Sequence, residues 1–200
     1  MLTNSLRKSA VFFLACFSFT QMYAQAPAVK PFRNTTPVWT LSTNLLYDAT
    51  TSMNLGTEFK LADQWTLKLP VTYNPWKFSD NQKFKFVLVQ PEVRYWLCEP
   101  FSGHFFGLHG HYSFFNVGAV GSDYMKQYRF QGNLYGGGLT YGYSFYLAPR
   151  WSLEASIGVG YARIEYDQYQ CQTCGDFVQT DNENYIGPTQ AGISLIYILK

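Results

Sequence analysis

The segment Asn133–Leu147 separates cleanly when alternate residues are taken. Tyr135, Gly137, Leu139, Tyr141, Tyr143, Phe145 and Leu147 form one set, apolar or aromatic apart from one glycine. Gly136, Gly138, Thr140, Gly142 and Ser144 form the other, tiny or weakly polar. A period of two is that of a β-strand with one face per set. A face turned to water would carry Lys, Glu or Asp, and the second set carries none. Small polar residues against a crowded interior, with aromatics against lipid, account for both faces. That is the pattern of a membrane-barrel strand.

Seven further segments repeat it. Val38–Tyr47 sets Trp39, Leu41, Thr43, Leu45 and Tyr47 outward. Met53–Leu61 sets Leu55, Thr57, Phe59 and Leu61 outward against Asn54, Gly56, Glu58 and Lys60. Trp65–Tyr73 sets Trp65, Leu67, Leu69, Val71 and Tyr73 against Thr66, Lys68 and Thr72. Phe84–Leu97 sets Val87, Val89, Val93, Tyr95 and Leu97 against Gln90, Glu92 and Arg94. Pro91 cannot donate to a ladder, so a bulge is expected there. His104–Phe115 sets Phe106, Leu108, Tyr112 and Phe114 against His109, His111 and Ser113. Trp151–Tyr161 sets Trp151, Leu153, Ala155, Ile157, Val159 and Tyr161 against Ser152, Glu154, Ser156, Gly158 and Gly160. Tyr185–Leu199 sets Thr189, Ala191, Ile193, Leu195, Tyr197 and Leu199 against Gln190, Gly192 and Ser194.

Connector lengths add a separate signal. The linkers Ala62–Gln64, Cys98–Gly103 and Ala148–Arg150 are short, whereas Asn74–Lys83, Asn116–Gly132 and Ala162–Asn184 are long; Asp48–Ser52 is the exception. Short turns on one rim and long loops on the other is how outer-membrane barrels are built. Trp39, Tyr47, Trp65, Tyr73, Tyr95, Trp96, Trp151 and Tyr161 at strand ends would form the interfacial girdles. The expected fold is all-β, an eight-stranded antiparallel transmembrane β-barrel with up-and-down topology.

Composition agrees with this picture. Aromatic residues make up 19% and charged residues 14% of the 200 residues, the reverse of a soluble domain, where charges run near a quarter. Arg7 and Lys8, the apolar run from Ala10 to Phe19 and Ala24-Gln25-Ala26 read as a secretory signal over residues 1–26, whose apolar run is too short to span as a helix. Residues 27–37 read as a proline-punctuated leader and 38–200 as the barrel domain. Cys16 lies inside the apolar run and is expected to leave with the signal rather than carry lipid. Removing Arg7 and Lys8 from 15 basic against 13 acidic residues leaves the mature chain balanced, with no electrostatic footprint for nucleic acid. An exported chain of this composition without a spanning helix has a closed barrel as its remaining membrane solution.

Gln190, Gly192, Leu195 and Tyr197 match the spacing of the terminal-strand signal of outer-membrane proteins, which implies the barrel assembly machinery as a partner. Ile198-Leu199-Lys200 follow where an aromatic residue usually ends the signal. Several blocks resemble an uncharacterised outer-membrane barrel family of Bacteroidota. They include Asn44-Leu45-Leu46-Tyr47-Asp48, Tyr73-Asn74-Pro75-Trp76, Leu88–Trp96, Gly103-His104-Phe105-Phe106-Gly107, Gly158–Arg163 and Gly187–Ser194. The resemblance covers nearly all of the mature chain. It implies a small barrel of the OmpA/OmpX size class and a cell-surface or fimbrial protein partner, and it carries over no activity or catalytic residue.

Candidate chemistry lies on the inward faces. Glu58, Lys60, Lys68, Glu92, Arg94 and Glu154 all point into a barrel only wide enough for side chains to fill. Unpaired charges there are prohibitively costly, so an interior ion-pair plug is expected, with Arg94 paired across the barrel; a proton or ion path is the functional alternative. His109 and His111 could supply two metal ligands with Glu92 or Glu154 as a third, or a Ser-His-acid relay with Ser113, as in lipid-modifying barrel enzymes. Hydrogen-bonded interior histidines are the preferred reading, with no catalytic residue, metal or cofactor. Cys171 and Cys174, in an exported loop without a redox-motif context, are expected to form a local disulfide, and Cys98 at the opposite rim to stay a free thiol. The loop Ala162–Asn184 groups Glu165, Asp167, Asp176, Asp181 and Glu183 with aromatics, in no EF-hand spacing. The expected role is structural or surface interaction through the loops, in contact with outer-membrane lipid. A lipid-modifying barrel enzyme and a soluble lipocalin-like carrier are the alternatives.

Overall fold

The computed structural model describes residues 37–76, 83–118, 128–170 and 175–199. The signal segment, nearly all of the leader, and Cys171 with Cys174 lie outside the described residues. The strands are β1 (Trp39–Asn44), β2 (Met53–Ala62), β3 (Trp65–Asn74), β4 (Lys83–Val89), β5 (Glu92–Trp96), β6 (Gly103–Gly118), β7 (Tyr128–Ala148), β8 (Trp151–Gln170) and β9 (Phe177–Ile198). One short helix, α1 (Leu45–Ala49), follows β1.

Every pairing is antiparallel. β4 and β5 lie between the same two neighbours, β3 and β6, and form the two halves of one strand position. β9 pairs with β1 as well as with β8, so eight positions close into an up-and-down ring. The interruption falls at Gln90–Pro91, as the missing N–H of Pro91 leads one to expect. Its backbone is still satisfied: the Gln90 N–H donates to Pro70 O at 3.1 Å, and Pro91 O accepts from the Gly110 N–H at 2.9 Å.

Parity decides what each side chain meets. Thr40, Ser42, Glu58, Thr66, Lys68, Thr72, Glu92, Arg94, His109, His111, Thr140, Glu154 and Ser194 are buried inside the ring. Leu55, Val71, Leu108, Leu139, Ile157, Val159 and Ile193 are exposed on its outside. The distribution is inverted relative to a protein that folds around an apolar core.

Three sequence expectations are corrected. Val38–Tyr47 is not one strand: Asn44 ends β1, and its Oδ1 accepts from the Leu46 N–H at 3.1 Å as the cap of α1. Leu45 and Tyr47 therefore leave the outer face of β1, and Tyr47 is no girdle residue. Trp96 is not a girdle residue either. It is fully buried at the turn end of the ring, with Phe105 at 4.8 Å and Phe101 at 6.1 Å between ring centroids. These rings and Ile196 make an apolar floor. Phe101 takes a left-handed φ of 67°, a strained conformation for a bulky residue, and burial of its ring in the floor offsets the cost.

The third correction concerns the long loops. Ala162–Asn184 is largely strand, and both described ends of Asn116–Gly132 are strand: β6 runs on to Gly118, β7 starts at Tyr128, β8 reaches Gln170 and β9 starts at Phe177. Cross-strand contacts sustain these extensions. Phe130 meets Tyr166 edge-on at 5.6 Å, the Arg129 guanidinium lies 4.4 Å over the Tyr169 ring, and the Thr180 hydroxyl donates to Asp167 Oδ1 at 2.6 Å. Among the described residues, neither face of this projecting sheet covers an apolar layer, so no hydrophobic alternation marks it in the sequence.

Thr66 ties the floor to the charges above it. Its hydroxyl accepts from Trp96 Nε1–H at 2.9 Å and donates to Glu58 Oε1 at 2.6 Å. Thr66→Val keeps the shape and strands two buried polar groups. We expect a loss of about 1–3 kcal/mol, read as a lower urea midpoint at unchanged slope.

Candidate functional site

Directly above the floor, β2, β3, β5 and β8 each send charged side chains to one point. Arg94 Nη1 donates to Glu58 Oε2 at 3.1 Å and to Glu154 Oε2 at 2.7 Å. Its Nη2 donates to Glu92 Oε2 at 2.8 Å and to Glu154 Oε1 at 3.1 Å. Lys68 Nζ completes the group at 2.9 Å from Glu154 Oε1. The planar guanidinium suits this work, because its fork meets Glu154 bidentately while still reaching two further carboxylates. Its plane also lies against the floor, with Cζ 4.2 Å from the centre of the Phe105 ring.

All five side chains are buried. Glu58, Glu92 and Glu154 oppose Lys68 and Arg94, so with every group ionised the cluster carries one excess negative charge. Glu92 Oε1 has no hydrogen-bond partner among the described residues. It occupies the space that a side chain on Gly107 would fill, since a Cβ there would run directly into Glu92 Oε1. Gly107 faces Arg94 in the β5–β6 register, so the glycine is what lets the charges sit this close to β6.

Lys60, expected in the same cluster, stays outside it. Its Nζ is 3.3 Å from Oδ1 of the fully exposed Asp63 at the short-turn rim, a surface pair of little energetic consequence. Lys60 is one alternation nearer the β2–β3 turn than Glu58, and that displacement takes it from the interior to the rim.

The next layer away from the floor is hydrogen-bonded and uncharged. His109 Nδ1 lies 2.8 Å from Thr140 Oγ1, and its Nε2 lies 2.9 Å from Thr189 Oγ1. The Thr140 hydroxyl donates to Gln190 Oε1, and Gln190 Nε2 donates to Glu92 Oε2, each at 3.3 Å. Thr189 was expected on the outer face. A bulge corrects this: Gly158 pairs with Gln190 and Val159 with Pro188, which leaves Thr189 as the extra residue, and its hydroxyl reaches inward.

Both ring nitrogens of His109 are thus engaged, and His111 has a hydrogen-bond partner on neither nitrogen among the described residues. Ser113 and His111 are therefore not joined as a nucleophile and base, and no group of three or more His, Cys, Asp or Glu side chains is placed to hold a metal ion among the described residues. Of the terminal-strand residues, Gln190 and Gly192 face inward. Tyr197 faces outward, its ring tilted against Trp151 at 4.9 Å and its hydroxyl accepting from Arg150 Nη1 at 3.2 Å. Leu195 pairs with Thr43 and Leu153. Cys98 is a free, exposed thiol in the turn after β5.

Sequence reasoning found the five charges because parity alone places them inside. It missed Thr66, Thr140 and Thr189, which satisfy the charges and His109. The inward parity of Thr66 and Thr140 is legible; the bulge that turns Thr189 inward is not.

Among known families, the one described as protein of unknown function (DUF3575) matches residues 10–199. No curated protein and no solved structure matches the chain.

Proposed function

Because the chain belongs to the DUF3575 family, whose description assigns no activity, we propose its function from its own geometry: a small integral outer-membrane β-barrel with a filled interior. It presents its loop rim to a cell-surface or envelope partner. The observation that carries this reading is the inversion of polarity across the wall. Leu55, Leu108, Leu139, Ile157 and Val159 are each more than half exposed, while Arg94, Glu92 and Glu154 are almost wholly buried. Soluble monomers rarely expose apolar patches beyond a few hundred Å², and a belt of this kind is matched by lipid tails. The secretory signal read over residues 1–26 supports export, and the terminal-strand residues support insertion by the barrel assembly machinery.

The loop rim supports an interaction role. The projecting ends of β7, β8 and β9 form a sheet on which Asp176, Asp181 and Glu183 are exposed. Between Phe177 and Gln190, β9 pairs only with β8 among the described residues. Rigid scaffolds commonly carry their binding surfaces on such extensions.

Gel migration of the detergent-refolded mature chain, unheated against boiled, tests the proposal. The expected result is a folded form that resists SDS at room temperature and changes apparent mass only on boiling. A chain that is soluble without detergent and shows no such change overturns the membrane assignment and leaves the lipocalin-like carrier in its place.

A further inference from the structure

Beyond the His109 layer, towards the loop rim, the ring bounds a half-open cavity of about 210 Å³. Leu88, Leu134, Ala162 and Pro188 form its apolar walls, and His111 and Ser113 bring polar groups to one side. His111 is 94% buried (6% exposed), yet neither of its ring nitrogens has a partner among the described residues. Two residues away on the same strand, His109 has both nitrogens bonded. The contrast matters because buried polar groups in folded proteins are almost always satisfied. Gly136, on the neighbouring strand, leaves room for this ring: a Cβ there would come within 2.8 Å of His111 Nε2.

We propose that this cavity is a binding site for a small uncharged amphiphile, a hydroxyl or primary amide on a compact apolar body, with His111 as the recognition residue. A neutral imidazole offers one donor and one acceptor, and hydroxyls and primary amides are the uncharged groups that can answer both. Charge argues against the ionic alternatives. An anion would lie above a cluster with one excess carboxylate, and an ammonium would find no Asp or Glu in the lining. The volume exceeds the roughly 150 Å³ of an apolar cavity that takes up benzene, which suits a molecule the size of benzyl alcohol. Entry is available beside Tyr185, Pro188 and Thr189, which line the cavity where β9 lacks a β1 partner. Gln90, Tyr185 and Thr189 also line the cavity, so hydration is the rival that the experiment must separate.

The sequence holds three histidines, which makes the ring-proton NMR spectrum of the refolded chain short enough to follow singly. Benzyl alcohol is titrated in, with toluene, benzoate and benzylamine as comparison probes. His104, whose Nδ1 meets the Tyr141 hydroxyl on the outer face, reports simple partition into the micelle. The expected result is a saturable shift of the His111 signals by benzyl alcohol, with His104 moving only in proportion to total probe. Affinity should fall roughly tenfold or more for the other three probes and, followed on the neighbouring His109 signals, in His111→Leu. That variant removes an unsatisfied polar group and should fold at least as well as wild type, as heat-modifiable migration will check. Linear drift of His111 in step with His104 would mean water and partition only and overturns the site. Undiminished binding of benzyl alcohol by His111→Leu, or equal binding of toluene by the wild type, overturns the role of His111.

Discussion

Arg94→Met is expected to lose about 3–5 kcal/mol of stability, the cost of removing one member of a buried ion group and leaving the others uncompensated. The direction follows from the charge balance. Wild type holds three carboxylates against Lys68 and Arg94; without Arg94 the same space holds three against Lys68 alone. Methionine fills most of the arginine's volume, so the loss reports charge and hydrogen bonding rather than a void. Glu58→Gln provides the control. It brings the cluster to two carboxylates and two cations, and the amide can still accept from Arg94 and donate to Thr66, which sit against opposite oxygens of Glu58. Its cost should be about 1 kcal/mol. Urea unfolding of the refolded chain, followed by tryptophan fluorescence, measures both. An Arg94→Met midpoint equal to that of wild type would mean that the cluster does not hold the interior together.

The second large effect is expected on the opposite face. Leu139 is 65% exposed and pairs with Leu108 on one side and Val159 on the other, themselves 64% and 57% exposed. In water, Leu139→Arg would be a surface substitution worth no more than about 0.5 kcal/mol. At the middle of a bilayer the same change costs about 2–4 kcal/mol. We expect the larger value for protein folded into lipid vesicles. Val178→Arg, close to the start of β9 on the projecting sheet, should be nearly neutral. Equal and small effects at Leu139 and Val178 would place Leu139 in water and remove the basis for a lipid-facing belt.

Much of this architecture is written locally. A strand's side chains alternate whatever it pairs with, so parity alone puts Glu58, Lys68, Glu92, Arg94 and Glu154 on one side of the wall and Leu108, Leu139 and Val159 on the other. The break at Pro91 is local as well, because it follows from one missing donor. The sorting of short and long connectors is set by covalent order and survives in the ring, even though the long ones are shorter loops than their composition suggests.

Other features depend on groups far apart in sequence. Glu58 and Lys60 share a strand, a face and a charged character, yet Glu58 meets Arg94 in the interior and Lys60 meets Asp63 at the rim. The stagger of strands around the ring decides between them, and it is a property of closure. The same holds for Trp96, which covers the turn end of the interior, and for Thr189, which a bulge against β8 turns towards His109. The polar hairpin of β8 and β9 forms because its two strands pair with each other and β8 pairs with β7, a preference that no single strand carries. The sequence alone determined which face each residue takes, since that follows from the two-residue repeat of the backbone. Only the tertiary structure decided which residues on that face meet, because strand tilt and register are fixed when the ring closes.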